Sequence, residues 1–224
     1  ILFVGDENGA QKFISKATKV EDLGGAFAMP GFIEGHGHFS ALGESLMKLN
    51  LSATKSWQEI TSMVAEKAQK TPKNDWIEGR GWHQEKWTTS PGPTTNGYPT
   101  NELLNKISPE NPVILIHASG HCLFANERAM QLAGVTRETA DPVGGRIVRD
   151  ATGKAIGVFE ENAMEIISRP FDDFLKKKPV DARRAEWEQA IQLAENQCLM
   201  HGITSFEDAG AGFEELGWYE DLAA

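Results

Sequence analysis

Two histidines, His36 and His38, stand two residues apart in the segment GFIEGHGHF, at the end of an apolar run. In a β-strand, residues i and i+2 point to the same face, so a strand here would place both imidazoles side by side. Neutral imidazole is a common ligand for Zn²⁺ and related divalent ions. Gly35 and Gly37 add no bulk beside the two rings. The spacing alone leaves two interpretations open, a metal site and a pair of histidines in a glycine-rich loop.

Three more side chains have types and positions that suit contact with a substrate. His121 lies in SGHCLFAN, directly after the apolar run PVILIHAS, and Asp208 ends the strand-like segment ITSFED. Trp82 stands with Trp87 at the entrance of a long loop rich in Pro, Gly and Thr, a kind of loop that is more often functional than idle. Each residue also has a structural alternative: a hydrogen-bonded histidine, a turn-forming aspartate and a tryptophan packed in the core.

The elements that must position these residues can be read from local patterns. Residues 1–27 read as short strands separated by turn residues. A helix is predicted over residues 56–70, opened by a capping box of Ser56 and Glu59. The run PVILIHAS is the best buried strand, with His117 as a packed or hydrogen-bonded core residue. A hairpin is predicted about the turn DATGK, and a long helix follows it.

The order of elements after residue 27 is strand, helix, strand, helix, strand, helix, hairpin, helix, strand. Alternation of this kind predicts a parallel α/β sheet or barrel. About four strand–helix units can be counted, against eight in a complete barrel. The pattern therefore predicts the N-terminal half of a larger α/β protein.

The composition argues against several classes of function. The net charge of −10 is unlike a nucleic-acid surface, which depends on clustered Lys and Arg. No stretch approaches the roughly 20 apolar residues of a membrane span. Cys122 and Cys198 are too few for a disulfide framework and fit a reducing, cytoplasmic compartment. The chain opens on ILFVGD without an initiator Met, so the lack of a signal peptide carries little weight.

Several segments resemble a known family. PGFIEGHGHF resembles the signature P-G-[FL]-[IV]-[DE]-x-H-x-H of the amidohydrolase superfamily, metal-dependent hydrolases built on a distorted TIM barrel. One branch, the YtcJ-like group with its N-substituted formamide deformylases, is similar to GRGWHQEKW, PVILIHASGHCLFANERAMQLAG, DPVGGRIVRDATGKAIGVFEENAM and GITSFEDAG. VEDLGGAFAMPGF is similar to the usual run of the superfamily from the outer β-sandwich into the first barrel strand. Together these motifs span residues 20 to 212 in the order found in the family.

The resemblance implies a division of the α/β chain. Residues 1–27 would belong to a small outer β-sandwich domain. Residues 28–224 would form the first half of a distorted (β/α)8 barrel, with a β-hairpin insertion near residues 143–159.

The resemblance also implies a ligand set for one or two divalent ions, with zinc as the expected metal. His36 and His38 match the first two ligands. Glu161 is the candidate for the acidic ligand, with Glu160 as its rival, and the alternative is that both carboxylates merely begin a helix. The remaining histidine ligands and the general-base Asp of the family have no counterpart here and are expected beyond Ala224.

The function implied is hydrolysis of a C–N bond in a small non-peptide amide or formamide by metal-activated water, with His121, Trp82 and Asp208 contacting the substrate. Deaminase or cyclic-amidase chemistry is the alternative within the superfamily. A non-catalytic regulatory or binding protein that keeps the barrel, or an inactive fragment, is the alternative outside it. A small-molecule amide is the expected partner, together with a homo-oligomer, and nucleic acid and membrane are not expected partners.

Overall fold

The computed structural model describes residues 1–223, and ten strands and eight α-helices lie within them. The strands are β1 (Phe32–Gly37), β2 (Leu49–Asn50), β3 (Ile77–Trp82), β4 (Thr94–Thr95), β5 (Tyr98–Pro99), β6 (Val113–His117), β7 (Cys122–Ala125), β8 (Gly145–Arg149), β9 (Ala155–Glu161) and β10 (Ile203–Asp208). The helices are α1 (Glu7–Ala10), α2 (Phe39–Met47), α3 (Trp57–Lys70), α4 (Glu102–Ile107), α5 (Glu127–Leu132), α6 (Met164–Lys177), α7 (Val180–Met200) and α8 (Phe213–Ala223).

A mixed sheet of six strands carries most of the core. Its order is β2-β3-β6-β7-β9-β8, with β2, β3 and β6 parallel and the remaining neighbours antiparallel. Alternate residues of a strand face opposite sides, so the apolar run of β6 supplies a core to each face: Val113 and Leu115 to one, Ile114 to the other. Helices α3 and α4 cover the first face, and α5 and α6 cover the second. The result is an α/β/α arrangement of three layers.

A second sheet holds only two strands, β1 and β10, which run parallel. Glu34 pairs with Phe206 and Gly37 with Asp208, so the carboxyl ends of both strands meet at one edge. Helix α2 packs against α7 beside this sheet so closely that a Cβ at Gly43 would collide with the carbonyl oxygen of Ala190. This sheet holds the predicted histidine pair.

The two strands that pair at the histidine pair are far apart in the sequence. Strand β1 pairs with β10, which is far away in sequence, and not with the next long strand, β3. The strands between them form the separate six-stranded sheet. Local patterns indicated which segments are strands, but they carry no information about which strands pair over such a distance.

The prediction of strands within residues 1–27 is wrong, because this segment contains a helical turn and no strand. Asp6 accepts a hydrogen bond from the Gly9 amide (2.7 Å), which starts α1, and a 3₁₀ turn follows at Gln11–Phe13. A strand needs a neighbour to pair its backbone groups, and no residue of this segment belongs to a described sheet.

Other local predictions are confirmed. Helix α3 begins after Ser56, whose hydroxyl accepts from the Glu59 amide at 3.0 Å, while the Glu59 carboxylate accepts from the Lys55 amide. The hairpin of β8 and β9 forms about the turn, and it joins the six-stranded sheet as its edge. Cys122 and Cys198 are free and buried. None of the helices within residues 1–223 is long and apolar enough to cross a membrane.

Candidate metal centre

His36 and His38 lie side by side at the carboxyl end of β1. His36 is on the strand, and His38 takes an extended conformation at the N-cap of α2. Their ring centroids are 6.2 Å apart and the ring planes meet at 71°. Both residues are exposed, and none of their ring nitrogens hydrogen-bonds to a residue that the structure describes. All four nitrogens are therefore free of competing protein partners in this part of the chain.

Asp208 ties the ends of the two parallel strands together. Its Oδ2 accepts a hydrogen bond from the Phe39 amide (3.0 Å), and its Oδ1 accepts from the Gly210 amide (2.8 Å). The first bond satisfies an amide at the start of α2, a group that lacks a partner within its own helix. Asp208 thus shapes the loop that carries His38, and it lines the same cleft as His38.

The cleft beside His38 has a volume of about 220 Å³. It is lined by His38, Ser40, Ala41, Glu44, Asp208, Gly210 and Glu215. The imidazole of His38 packs directly on the loop after β10, since a Cβ at Gly210 would lie 2.5 Å from its Nδ1. Real Cβ contacts essentially never come below 3.0 Å, so glycine at this position allows the present position of the ring.

The charge in this cleft is negative. Three of the seven lining residues are carboxylates and none is Lys or Arg. Burial raises the pKa of Glu44, and the negative charge of Glu215 raises it further, while Lys48 opposes the shift. Burial also raises the pKa of Tyr219, whose hydroxyl lies 3.1 Å from Ser40 Oγ at the same cleft. A concave surface of one sign concentrates ions of the opposite sign, so this cleft favours cations.

The two imidazoles at the carboxyl end of β1 fit part of a site for a divalent ion such as zinc. Two neutral imidazoles with free nitrogens are suitable ligands for such an ion. Within residues 1–223, however, no three His, Cys, Asp or Glu side chains come together as a metal-binding group. The histidine pair can therefore supply two ligands, and a complete coordination shell needs donors from elsewhere.

Glu161 does not join the histidine pair. It ends β9 on the other sheet, where its Oε2 lies 3.1 Å from Nδ1 of His121, and both side chains are exposed. The backbone of Glu161 has φ +50°, a conformation that is rare outside glycine. Its rival Glu160 accepts hydrogen bonds from Arg146 (2.7 Å) and Tyr98 (3.1 Å). Both carboxylates belong to the end of a strand, so the helix-start alternative does not apply either.

Trp82 belongs to the core and not to a substrate pocket. Its side chain is fully buried, and its indole donates a hydrogen bond to the Leu115 carbonyl (2.8 Å). It packs against Phe124, with ring centroids 5.1 Å apart. The sequence placed this tryptophan at a loop entrance, but the strand that precedes the loop carries it into the interior.

The sequence analysis missed helix α2 and the cleft residues that come with it. Phe39, Leu42 and Leu46 recur at helical spacing directly after the histidine pair, and this signal could have revealed the helix. Glu44 lies on α2, while Glu215 lies on α8, and no local pattern could place them at one cleft. Of the predicted substrate contacts, the structure brings only Asp208 to the histidine pair; His121 lies with Glu161 on the other sheet.

Comparisons with known proteins identify the family to which the chain is similar. A model of the Amidohydrolase family matches residues 19–224. The chain is 32% identical over 213 residues to the putative amidohydrolase YtcJ of Bacillus subtilis (strain 168), which covers 95% of this chain and 37% of that protein. It is 28% identical over 215 residues to the N-substituted formamide deformylase of Arthrobacter pascens, covering 93% of this chain and 37% of that one. The chain therefore spans little more than a third of the length of these relatives.

A solved structure supports the fold. An uncharacterized metal-dependent hydrolase from Pyrococcus horikoshii OT3 matches with a TM-score of 0.55 and 21% sequence identity. The match covers 87% of this chain and 34% of that chain. At this identity the likeness concerns the fold alone.

Proposed function

Because this chain belongs to the amidohydrolase family, we propose that His36 and His38 are two ligands of a divalent-metal site in an enzyme that hydrolyses a C–N bond. The observation that carries the proposal is the exposed imidazole pair at the carboxyl end of β1, with no competing hydrogen bonds among the described residues. This end of a parallel strand is where α/β enzymes place their reactive groups. Zinc is the proposed metal, since neutral imidazole is one of its standard ligands. The number of metal ions bound depends on donors outside the histidine pair.

Each described residue at the site has a defined part in this proposal. His36 and His38 hold the metal, which when bound acts as a Lewis acid and activates water. Asp208 fixes the loop against which His38 packs, through the Phe39 and Gly210 amides. The carboxylates of Glu44 and Glu215 give the cleft a negative potential that attracts a cation. Glu161 is not part of the proposed ligand set.

We propose a small non-peptide amide or formamide as the substrate. The support is the similarity to a protein named N-substituted formamide deformylase. The cleft beside His38, of about 220 Å³, is in keeping with a small-molecule substrate. A cytoplasmic location and a homo-oligomeric state are also part of this proposal.

Metal analysis of the purified complete protein tests the ligand assignment. We expect the wild type to hold a divalent metal and the His36→Ala/His38→Ala double variant to lose it, with unchanged far-UV circular dichroism. His201→Ala is the matched control, because it removes an exposed histidine on the C-terminal end of α7 and should keep the metal. Equal metal content in the wild type and the double variant would refute the assignment.

Formate release from N-substituted formamides tests the activity. We expect turnover by the metal-loaded wild type of the complete protein and loss of turnover in the double variant. A complete protein that is folded, free of metal and inert toward amides would instead favour a regulatory or binding role.

A further inference from the structure

We propose that the carboxyl ends of β3 and β6 form a binding site for a small carboxylate, in which the Nε2–H groups of His83 and His117 are the hydrogen-bond donors. Trp82 at the end of β3 pairs with His117 at the end of β6, and His83 directly follows Trp82. The two imidazole centroids lie 4.6 Å apart, with their planes at 49°. His117 is 7% exposed and His83 is half-buried. This pair lies on the six-stranded sheet, whereas His36 and His38 lie on the two-stranded one.

The backbone fixes the tautomer of both rings in the same way. The Ser119 amide donates to Nδ1 of His117 at 3.1 Å, and the Glu85 amide donates to Nδ1 of His83 at 3.3 Å. A nitrogen that accepts an N–H bond carries no proton of its own, so each neutral ring holds its proton on Nε2. Metal binding through Nε2 would require the opposite tautomer, in which Nδ1–H donates to an acceptor. The arrangement therefore suits a ligand that accepts hydrogen bonds.

The Nε2 atom of His117 has no partner although it is buried. Among the described residues, five buried side-chain polar atoms lack a hydrogen bond, and three of them belong to this end of the sheet: His117 Nε2, Trp87 Nε1 and Gln84 Oε1. A buried donor without an acceptor is costly, and native proteins rarely keep one. Two of the three atoms are N–H donors, which an oxygen acceptor would satisfy.

One cation near the turn after β6, the guanidinium of Arg80, favours an anionic acceptor. The guanidinium of Arg80 lies next to Gly120, since a Cβ built there would be 3.7 Å from an Nη atom. Arg80 has no ion pair with any residue that the structure describes. At His117 itself, the negative charge of Glu85 has a larger effect than the positive charge of Lys86. Burial, followed by the charge of His83, lowers the pKa of His117, so the ring is a neutral donor near pH 7.

The segment after β3 continues directly from His83. Gln84–Lys86 form a 3₁₀ turn, and Trp87 follows it. A cleft of about 240 Å³ opens along this segment, lined in part by Gln84, Glu85 and Trp87. His83 and His117 do not line this cleft, and because His117 Nε2 is enclosed, the proposed binding requires this segment to shift. Binding should therefore also change the environment of the Glu85 amide, which bonds to His83.

Nuclear magnetic resonance of the ¹⁵N-labelled chain, stripped of metal with a chelator, tests the proposal. Sodium acetate is the probe, and sodium chloride at the same ionic strength is the control. We expect acetate, and not chloride, to shift the Nε2 signals of His117 and His83 and the Glu85 amide signal in a saturable way. Unshifted Nε2 signals of His117 in the wild type would overturn the proposal, whatever the metal content of the His36 and His38 variants.

Two variants and one control variant sharpen the test. His117→Phe keeps a ring and removes the donor, so acetate should bind about tenfold more weakly or worse. His201→Phe, at an exposed histidine on α7, should bind acetate as the wild type does. Arg80→Gln changes an exposed side chain without a described ion pair and should weaken acetate binding about tenfold with the fold intact. Unchanged acetate affinity in His117→Phe or Arg80→Gln would overturn the carboxylate assignment. Binding of Zn²⁺ by His83 and His117, with the proton of each ring on Nδ1, would also overturn it.

Discussion

The position of the His38 imidazole depends on single residues that perform no chemistry themselves. Asp208 offers one oxygen to the Phe39 amide and the other to the Gly210 amide. Gly210 then presents bare backbone to the ring of His38. A metal ligand must be held within a few tenths of an ångström, and residues that hold the backbone around it perform this task. Asp208 is therefore a positioning residue in the proposed site.

Replacing Asp208 measures what these two bonds contribute. Asp208→Ala leaves the Phe39 and Gly210 amides without their acceptor, and we expect the free energy of unfolding to fall by about 1–3 kcal/mol. Urea denaturation gives this value. Asp22→Ala is the control, since Asp22 is exposed and accepts only from the Gly24 amide at 2.8 Å, and it should change stability by no more than about 0.5 kcal/mol. Equal losses in the two variants would contradict the positioning role.

At the scale of elements, the contact between α2 and α7 sets the direction in which α2 leaves the histidine pair. Gly43 is buried at this contact, against the backbone of Ala190. Helix α8 also contacts α7, where Arg183 makes two hydrogen bonds to Glu214 (2.8 and 2.9 Å). Helix packing distances of about 8–10 Å depend on the side chains at the contact, and glycine allows the closest approach.

Adding one methyl group tests this contact. In Gly43→Ala the new Cβ meets backbone that cannot rotate away, so we expect a loss of about 1–3 kcal/mol despite the better helix propensity of Ala. The matched control is Gly217→Ala in α8, where a Cβ meets nothing within 4 Å and the same change should stabilise the protein by about 0.5–1 kcal/mol. Thermal and urea unfolding of both variants would show the opposite signs. A stabilising Gly43→Ala would disprove the close contact.

On the scale of the whole molecule, stability and the proposed chemistry lie on different sheets. Both buried apolar clusters cover the six-stranded sheet. The two-stranded sheet carries the histidine pair and leaves apolar side chains in solvent, with Phe32 55% and Ile33 69% exposed. Apolar burial is the main favourable term in folding, so the larger sheet provides most of the stability of this chain.

Hydrogen exchange should reveal this difference directly. In the 224-residue chain we expect the amides of β6 and β7, which lie between other strands and are buried, to exchange only through global unfolding. The amides of β1 and β10, on a sheet of two strands, should exchange through local opening and therefore faster. Mass spectrometry of peptides from the four strands measures both. Equal protection of the two sheets would show that they open as one unit.

The sequence by itself determined the features that depend on neighbours along the chain. The Ser56 cap, the DATGK hairpin and the buried strand before His117 follow from residues within a few positions of one another, and the structure has all three. The side-by-side placement of His36 and His38 is of the same kind, because the pleat of a strand imposes it. The family resemblance, carried by short motifs, is confirmed over residues 19–224.

Only the tertiary structure decided which distant segments meet. It paired β1 with β10, which brings Asp208 to His38, and it placed Glu161 beside His121 on the other sheet. It also buried Trp82, which the sequence could equally assign to a pocket. The physical reason is that a strand pattern in the sequence indicates only that the backbone N–H and C=O groups need a hydrogen-bonding strand beside them. The choice of partner depends on how all the apolar faces can be buried together, and that is a property of the entire chain.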